Sequence, residues 1–160
     1  MVRQIDDIRL LVRNLLRTEW DNSSLVISLS DTDIHTGWYD DGKGYPQVTV
    51  TNPEEGILAG GESGVTGIKG SGDGYVQHRN GTVLVNCWAG SRADYDAAGE
   101  VELQAQAMGD EVDDILYENI HALSGVDSIT VTSRSRIVDT DEEPSEYRVQ
   151  LELTFNWTKD

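Results

Sequence analysis

Cysteine and phenylalanine each occur once in this chain, and proline and lysine three times each. A single thiol, Cys87, rules out an intrachain disulfide and with it the cross-linked frameworks of small secreted domains. No apolar run approaches the roughly 18 residues needed to span a bilayer, and the opening Met1-Val2-Arg3-Gln4-Ile5-Asp6-Asp7 has no apolar signal core. The expectation is a soluble protein made in the cytoplasm, with no membrane partner. Asn22-Ser23-Ser24, Asn80-Gly81-Thr82 and Asn156-Trp157-Thr158 match the glycosylation acceptor pattern, which without a secretion signal carries no meaning. Basic clusters and RNA-binding aromatic motifs are also missing, which excludes nucleic-acid binding through phosphate contacts. One Phe leaves most aromatic burial to four Trp and six Tyr.

What the chain has in excess is acid. Twenty-nine carboxylates face twelve bases, a formal net charge of −17, and only Lys43, Lys69 and Lys159 are lysines. Such a surface repels nucleic acid and anionic membranes and opposes its own compact state. Concentrated salt screens that repulsion, because the Debye length falls to about 3 Å at 1 M. An acid-rich, lysine-poor composition fits a halophilic setting; an acidic protein of an ordinary host is the other account. Leu, Ile, Val and Phe make up about a quarter of 160 residues, enough for one modest core.

Periodicity then lays out a single domain over residues 1–160. From about Arg3 to Thr18, Ile5, Ile8, Leu11, Val12, Leu15 and Leu16 fall on one arc of a helix. Arg9, Arg13 and Arg17 recur every four residues on its flank. Either they are solvated or paired with local acids, or they form a docking stripe for an acidic neighbour; they are the one candidate interaction surface legible in the pattern. Leu25–Leu29 and Gln47–Thr51 read as strands. Residues 52–74 hold eight glycines and no sustained period, which predicts a long mobile loop. Tyr75–Arg79 and Thr82–Trp88 read as a hairpin turning at Asn80-Gly81, since a type I′ turn favours those residues. A long helix follows from about Ala97 to Leu123. It is capped near Asp94–Asp96, buried through Val101, Ala105, Met108, Val112, Ile115, Leu116 and Leu123, and stopped by Ser124-Gly125. Its other faces carry seven acids and no base. Ser128–Val138 pairs with Tyr147–Trp157 through an acidic turn, and in the latter Tyr147, Val149, Leu151, Leu153, Phe155 and Trp157 alternate without error. The predicted class is α+β: an antiparallel sheet packed against two helices.

Motifs that would carry chemistry fail on inspection. Gly37–Gly44 approaches a phosphate-binding loop but lacks the hydroxyl after Lys43 and sets Asp40 and Asp41 against a phosphate. Gly70-Ser71-Gly72-Asp73-Gly74 has neither the spacing nor the following helix of a dinucleotide fingerprint. Gly61–Val65 misses the last glycine of a nucleophile elbow. Asp31–His35 and Asp139–Glu143 start like calcium loops without the sixth-position glycine or distal Glu. His35, His78 and His121 show no metal-ligand spacing and read as surface histidines; Cys87 reads as a buried, inert thiol. No catalytic residue, cofactor or metal is expected.

The order of elements is nonetheless familiar. An N-terminal helix precedes Tyr45-Pro46-Gln47-Val48-Thr49-Val50-Thr51. Then come Thr82-Val83-Leu84-Val85-Asn86-Cys87-Trp88-Ala89, the long helix, Leu123-Ser124-Gly125-Val126, and the closing strand Tyr147-Arg148-Val149-Gln150-Leu151-Glu152-Leu153. This succession, which covers most of the chain outside residues 52–74, resembles the tail-terminator (tail-completion) proteins of long-tailed viruses, including those of haloarchaea. The resemblance implies a non-enzymatic virion protein, assembled in the host cytoplasm, that forms a homohexameric ring in the neck. The ring would cap the last tail-tube ring, end tube polymerisation and meet the head-side stopper or connector. Genomic DNA would pass through the lumen without specific binding. The glycine-rich segment is longer than the family leads one to expect, and ordering on a neighbouring ring would give it a purpose. Alternatives are another neck or minor tail component, or a small halophilic metal-dependent hydrolase.

Overall fold

Asp7 opens the first helix: its carboxylate accepts the Arg9 backbone N–H at 3.0 Å and so satisfies one of the orphan donors of the first turn. The computed structural model describes residues 7–51, 62–71, 74–90, 98–139 and 146–159. Helix α1 spans Ile8–Glu19 and buries Ile8, Val12 and Leu16, one residue per turn, which is the stripe expected of it. Its expected first residues, and Ile5, lie outside the described residues. Helix α2 spans Ala98–Glu118 and buries the predicted face from Val101 to Leu116. It ends five residues before the expected stop. Turns then carry the chain to Gly125, whose φ of +80° suits a residue without a Cβ.

The strands are β1 (Ile34–Thr36), β2 (Gln47–Thr51), β3 (Glu62–Ser71), β4 (Gly74–Gly90), β5 (Ser128–Asp139) and β6 (Glu146–Lys159). The sheet runs in the order β1-β2-β4-β6-β5, with β3 added to the free part of the β4 edge that β2 leaves uncovered. Among the described strands only β1–β2 is parallel, and every other pair is antiparallel. The class is therefore α+β, with one mainly antiparallel sheet and two helices. The β6 alternation holds along its length: Val149, Leu151, Leu153, Phe155 and Trp157 are all buried. Opposite them on β4 stand Cys87, Val85 and Val83, and on β2 Val48 and Val50. Both helices cover this one face, making a single core cluster with the strand residues. Gly109 lets α2 settle onto β6: a Cβ there would sit 2.7 Å from Val149 Cγ1 and 3.0 Å from Arg134 Nη2.

Three local expectations give way. Asn80-Gly81 is not a turn. Strand β4 runs straight through it, pairing Asn80 with Asn156 and Gly81 with Phe155, and Gly81 is not among the positive-φ glycines. A two-residue turn preference loses to fourteen consecutive pairs with β6. Residues 62–71, expected within a mobile loop, form β3, whose ladder to β4 carries register shifts on either side of Val65. The rest of that expected loop, 52–61 and 72–73, lies outside the described residues, as do the expected cap at Asp94–Asp96 and most of the acidic turn, 140–145. Leu25–Leu29 is not a strand either, because two side-chain amides take the place of a neighbouring strand. Asn22 Oδ1 accepts the Leu29 N–H at 2.9 Å while its Nδ2 donates to the Leu29 carbonyl at 3.0 Å. Gln104, fully buried in α2, does the same for Ile27, accepting from its N–H at 2.8 Å and donating to its carbonyl at 2.9 Å.

Strands β4 and β6 run past the helix-covered core. Residues 77–79 of β4 pair with 157–159 of β6 on one edge and with β3 on the other, whereas β2 joins only 84–88 and β5 stops at Asn156. Among the described elements β3 packs on β4 and on no helix to a comparable extent. The sheet thus ends in a narrow β3–β4 arm.

Candidate interaction surfaces

The helix-free face of the sheet carries a polar and aromatic row. By register, Gln47, Trp88 and Arg148 stand side by side on β2, β4 and β6, followed by Thr49, Asn86 and Gln150. The segment 37–46 folds over the first row, and buried Gln47 anchors it. The Gln47 Oε1 accepts from the Asp40 N–H at 2.9 Å and from His35 Nε2 at 2.8 Å, and its Nε2 donates to the carbonyls of Gly44 and Asp40 at 2.8 and 3.1 Å. Every hydrogen-bonding position of that amide is used. His35, expected on the open surface, is half-buried instead, because it serves this anchor.

Trp38, Tyr39 and Tyr45 arrive with the segment. Trp38 meets Trp88 edge-on at 4.9 Å between centroids, and the Arg148 guanidinium lies 4.6 Å from the Trp88 ring and 5.2 Å from that of Trp38. Burial lowers the Arg148 pKa from its ordinary value, partly opposed by Glu146, and Nε of Arg148 is buried without a hydrogen-bond partner. The Tyr45 ring covers Gly90, leaving no room for a side chain there, and its hydroxyl donates to Glu146 at 2.6 Å. Burial first, then the Glu146 carboxylate and Tyr39, push the Tyr45 phenol well above its usual range. Trp88 donates its indole N–H to Thr49 Oγ1 at 2.9 Å. Trp38, 47% exposed, is the outward end of this cluster. Nothing in the sequence pattern singles it out beyond the presence of a Trp in a polar stretch.

The second surface is the outer side of α2. Leu103 is 57% exposed and Tyr117 78% exposed, and Asp110, Asp113, Asp114 and Glu118 lie among them on the solvent side. The helix contributes no base, as expected. The bases come from the edge strand: Arg134 Nη1 pairs with Asp110 at 2.7 Å, and Arg136 pairs with Glu102. A groove of about 470 Å³ runs between α2 and the 24–26 segment, lined by Val26, Leu103, Ala107, Asp110, Glu111 and Asp114. Burial raises the Glu111 pKa; the Asp21 N–H it accepts works against this, while Asp21, Asp114 and Glu118 add to it.

The three arginines predicted as an interaction stripe are placed differently from one another. Arg9 forms a two-pronged pair with Asp7, at 3.0 and 2.5 Å, which holds that carboxyl below its ordinary pKa. Arg17 donates to the Ile34 carbonyl at 2.8 Å and ties α1 to β1. Arg13 reaches the adjacent Asn14. Arg9 and Arg17 thus have local structural work, and the structure brings the three to no common acidic neighbour among the described residues. Cys87 is fully buried and its thiol is pushed up to about 12 by burial. His121 bonds the Asp127 carbonyl at 2.8 Å. The calcium-like Asp31–Asp33 is a 3-10 turn whose Asp33 carboxylate is occupied by the Ser30 N–H and hydroxyl. Among the described residues no group of three or more His, Cys, Asp or Glu is arranged to hold a metal ion, and no helix is long and apolar enough to cross a membrane.

No protein-family model matches the chain, and comparison with characterised proteins finds no match.

Proposed function

We propose that this chain is a virion structural protein that forms a ring at the head-proximal end of a viral tail tube, ending tube growth and joining the tail to the head connector. The observation that carries the reading is the outer face of α2. Leu103 and Tyr117 both stand exposed on that face, among Asp110, Asp113, Asp114 and Glu118, and the helix itself carries no base. Exposed apolar groups set in charge are what a subunit boundary needs, and Trp38 offers a second such group on the opposite face of the sheet. Two unlike patches facing opposite ways suit head-to-tail contact, which closes into a ring when the rotation allows. The element order supports the same reading, since α1, the strand pair, α2 and the closing hairpin follow the succession seen in tail terminators. An acidic lumen would let DNA slide without adhering.

Multi-angle light scattering across a range of NaCl concentrations tests the proposal. A discrete closed oligomer, six copies by the family resemblance, that binds tail-tube protein is the expected result. A monomer at every salt and protein concentration, without tube-protein binding, overturns it.

A further inference from the structure

We infer that Trp38 of one copy seats in a pocket at the C-terminal end of α2 of the next copy, with Arg148 meeting Asp113 beside it, and that this is the directional contact of the proposed ring. The inference rests on the ring reading and adds which side chains meet. The pocket, of about 290 Å³, lies between the end of α2, the turn after it and the outer strand β5. Leu116, Tyr117, Ile120 and Val131 make most of its wall, and Asp113 and Thr130 complete it. Pockets that enclose small molecules run to roughly 300–1,000 Å³, so this one is better matched to a single bulky side chain. Tyr117 borders it and is the most exposed large apolar residue among the described residues.

The surface around Trp38 has the complementary chemistry. Trp38 is a large ring set edge-on to Trp88, and about half of it meets water. Placed in the pocket, it would bury that apolar area and gain an aromatic neighbour in Tyr117. Charge selects a second copy as the occupant. The half-buried Arg148 guanidinium lies against the rings of both Trp38 and Trp88, yet no hydrogen bond or ion pair among the described residues involves it, in a chain with 29 acids. The acids near it are engaged elsewhere: Glu146 accepts from the Tyr45 hydroxyl at 2.6 Å, and Asp40 Oδ1 from the Gly42 N–H at 2.9 Å. A guanidinium can stack on a ring and still offer N–H groups to a carboxylate in its own plane. Asp113, exposed on α2, likewise has no partner among the described residues. One surface thus joins an aromatic ring to an unpaired cation, and the other joins an apolar pocket to an unpaired acid. They are different surfaces of the subunit, so the contact is heterologous and propagates in one direction around a ring.

Thiol cross-linking tests this, because Cys87 is buried with a raised pKa and contributes little background. Asp41, Lys43 and Thr130 are exposed, the first two in the segment that carries Trp38 and the third on the pocket, so cysteines there leave ring and pocket intact. The full chain carrying Asp41→Cys with Thr130→Cys, or Lys43→Cys with Thr130→Cys, is treated with a short bismaleimide. The expected result is a covalent ladder that ends at the oligomer size found by light scattering, with none from the single variants. Charge reversal supplies a second measurement. Asp113→Arg and Asp114→Arg change the net charge equally at adjacent exposed positions, but only Asp113 lines the pocket. Asp113→Arg sets a cation against Arg148 and should raise the protein concentration for half-assembly about tenfold or more above that of Asp114→Arg at the same salt concentration. A ring that forms without a ladder from either cysteine pair, or that responds alike to the two reversals, overturns the Trp38 contact and leaves the ring standing. A chain that never assembles overturns both.

Discussion

Gln104 offers the sharpest test of how this fold is held. Its amide is fully buried and makes two hydrogen bonds to the backbone of Ile27, at 2.8 and 2.9 Å, standing in for a strand that is not there. Gln104→Ala deletes both and leaves a void beneath the 25–29 segment. An unsatisfied buried backbone group costs about 1–3 kcal/mol. Because Ile27 is half-buried, water recovers part of this, and the expected total is about 2–4 kcal/mol. For a chain of this size that lowers Tm by about 5–15 °C. Urea unfolding followed by far-UV circular dichroism reads it as a lower midpoint at unchanged slope. Gln104→Glu separates hydrogen bonding from packing. It keeps the acceptor for the Ile27 N–H but turns an acceptor toward the Ile27 carbonyl, while a protonated carboxyl restores the donor. Burial raises the folded pKa of such a group above its unfolded value of about 4.3. The variant should therefore approach wild-type stability below that pH and lose it as pH rises through the folded pKa. A loss under about 0.5 kcal/mol for the alanine variant, or a pH-independent glutamate variant, would refute the amide as the clamp.

Three other outcomes follow from the structure. Gly109→Ala improves helix propensity by about 1 kcal/mol yet forces a methyl to within 2.7 Å of Val149, so a net loss of about 1–2 kcal/mol is expected in urea unfolding; a gain would show that α2 can lift freely from β6. The Asp7 carboxyl is held below its ordinary pKa by Arg9, so its contribution is present above the unfolded value of about 3.9 and lost as pH falls through the lower folded pKa. Wild type should therefore exceed Asp7→Asn, which still caps the helix, by up to about 1 kcal/mol at pH 6, and that margin should vanish as pH falls through the folded pKa. Cys87 should resist a disulfide reagent at pH 8 in the native chain and react stoichiometrically in urea; fast native labelling would mean that the sheet opens locally.

Legibility of the fold tracked how far side chains decided it. Strand β6 was plain because each odd residue from Val149 to Trp157 had to enter the core, and α1 and α2 because their apolar stripes had one sheet to cover. Strand β3 was hidden because glycine has no side chain to alternate, so a paired segment and a loop look the same. The Asn80-Gly81 turn was a local preference overruled by distant partners in β6 that no short window contains. Leu25–Leu29 had strand composition but no free edge, and only the three-dimensional neighbours Asn22 and Gln104 reveal what replaces one. The surfaces were less legible still. Arginines at helical spacing left local pairing and a docking stripe both open; Arg9 pairs with the local Asp7 and Arg17 donates to the Ile34 carbonyl. Arg148 sat at a position that alternation assigns to solvent, although Trp38 and Trp88 enclose it. The acid excess of α2 was visible; that Leu103 and Tyr117 share its outer side became visible only once the inner side was fixed.

Charge then constrains how such a chain can assemble. In the proposed ring, six copies at −17 each would bring about −100 charges together, spread over distances well beyond any single contact. Repulsion of that kind acts over the Debye length, about 10 Å at 0.1 M salt and about 3 Å at 1 M, so salt removes it first. Apolar contacts made through Leu103, Tyr117 and Trp38, as the proposed ring requires, would strengthen rather than weaken in salts excluded from protein surfaces. Individual Lys–carboxylate pairs at an interface contribute little each and lose part of it in salt. The long-range term therefore decides the sign: half-assembly should need less protein as NaCl rises from 0.1 M toward 1 M. Sedimentation or light scattering along that series measures it. Rings that dissociate progressively as salt rises would mean that short-range ion pairs hold them, and would assign the boundary to charge rather than to the exposed apolar groups of α2 and Trp38.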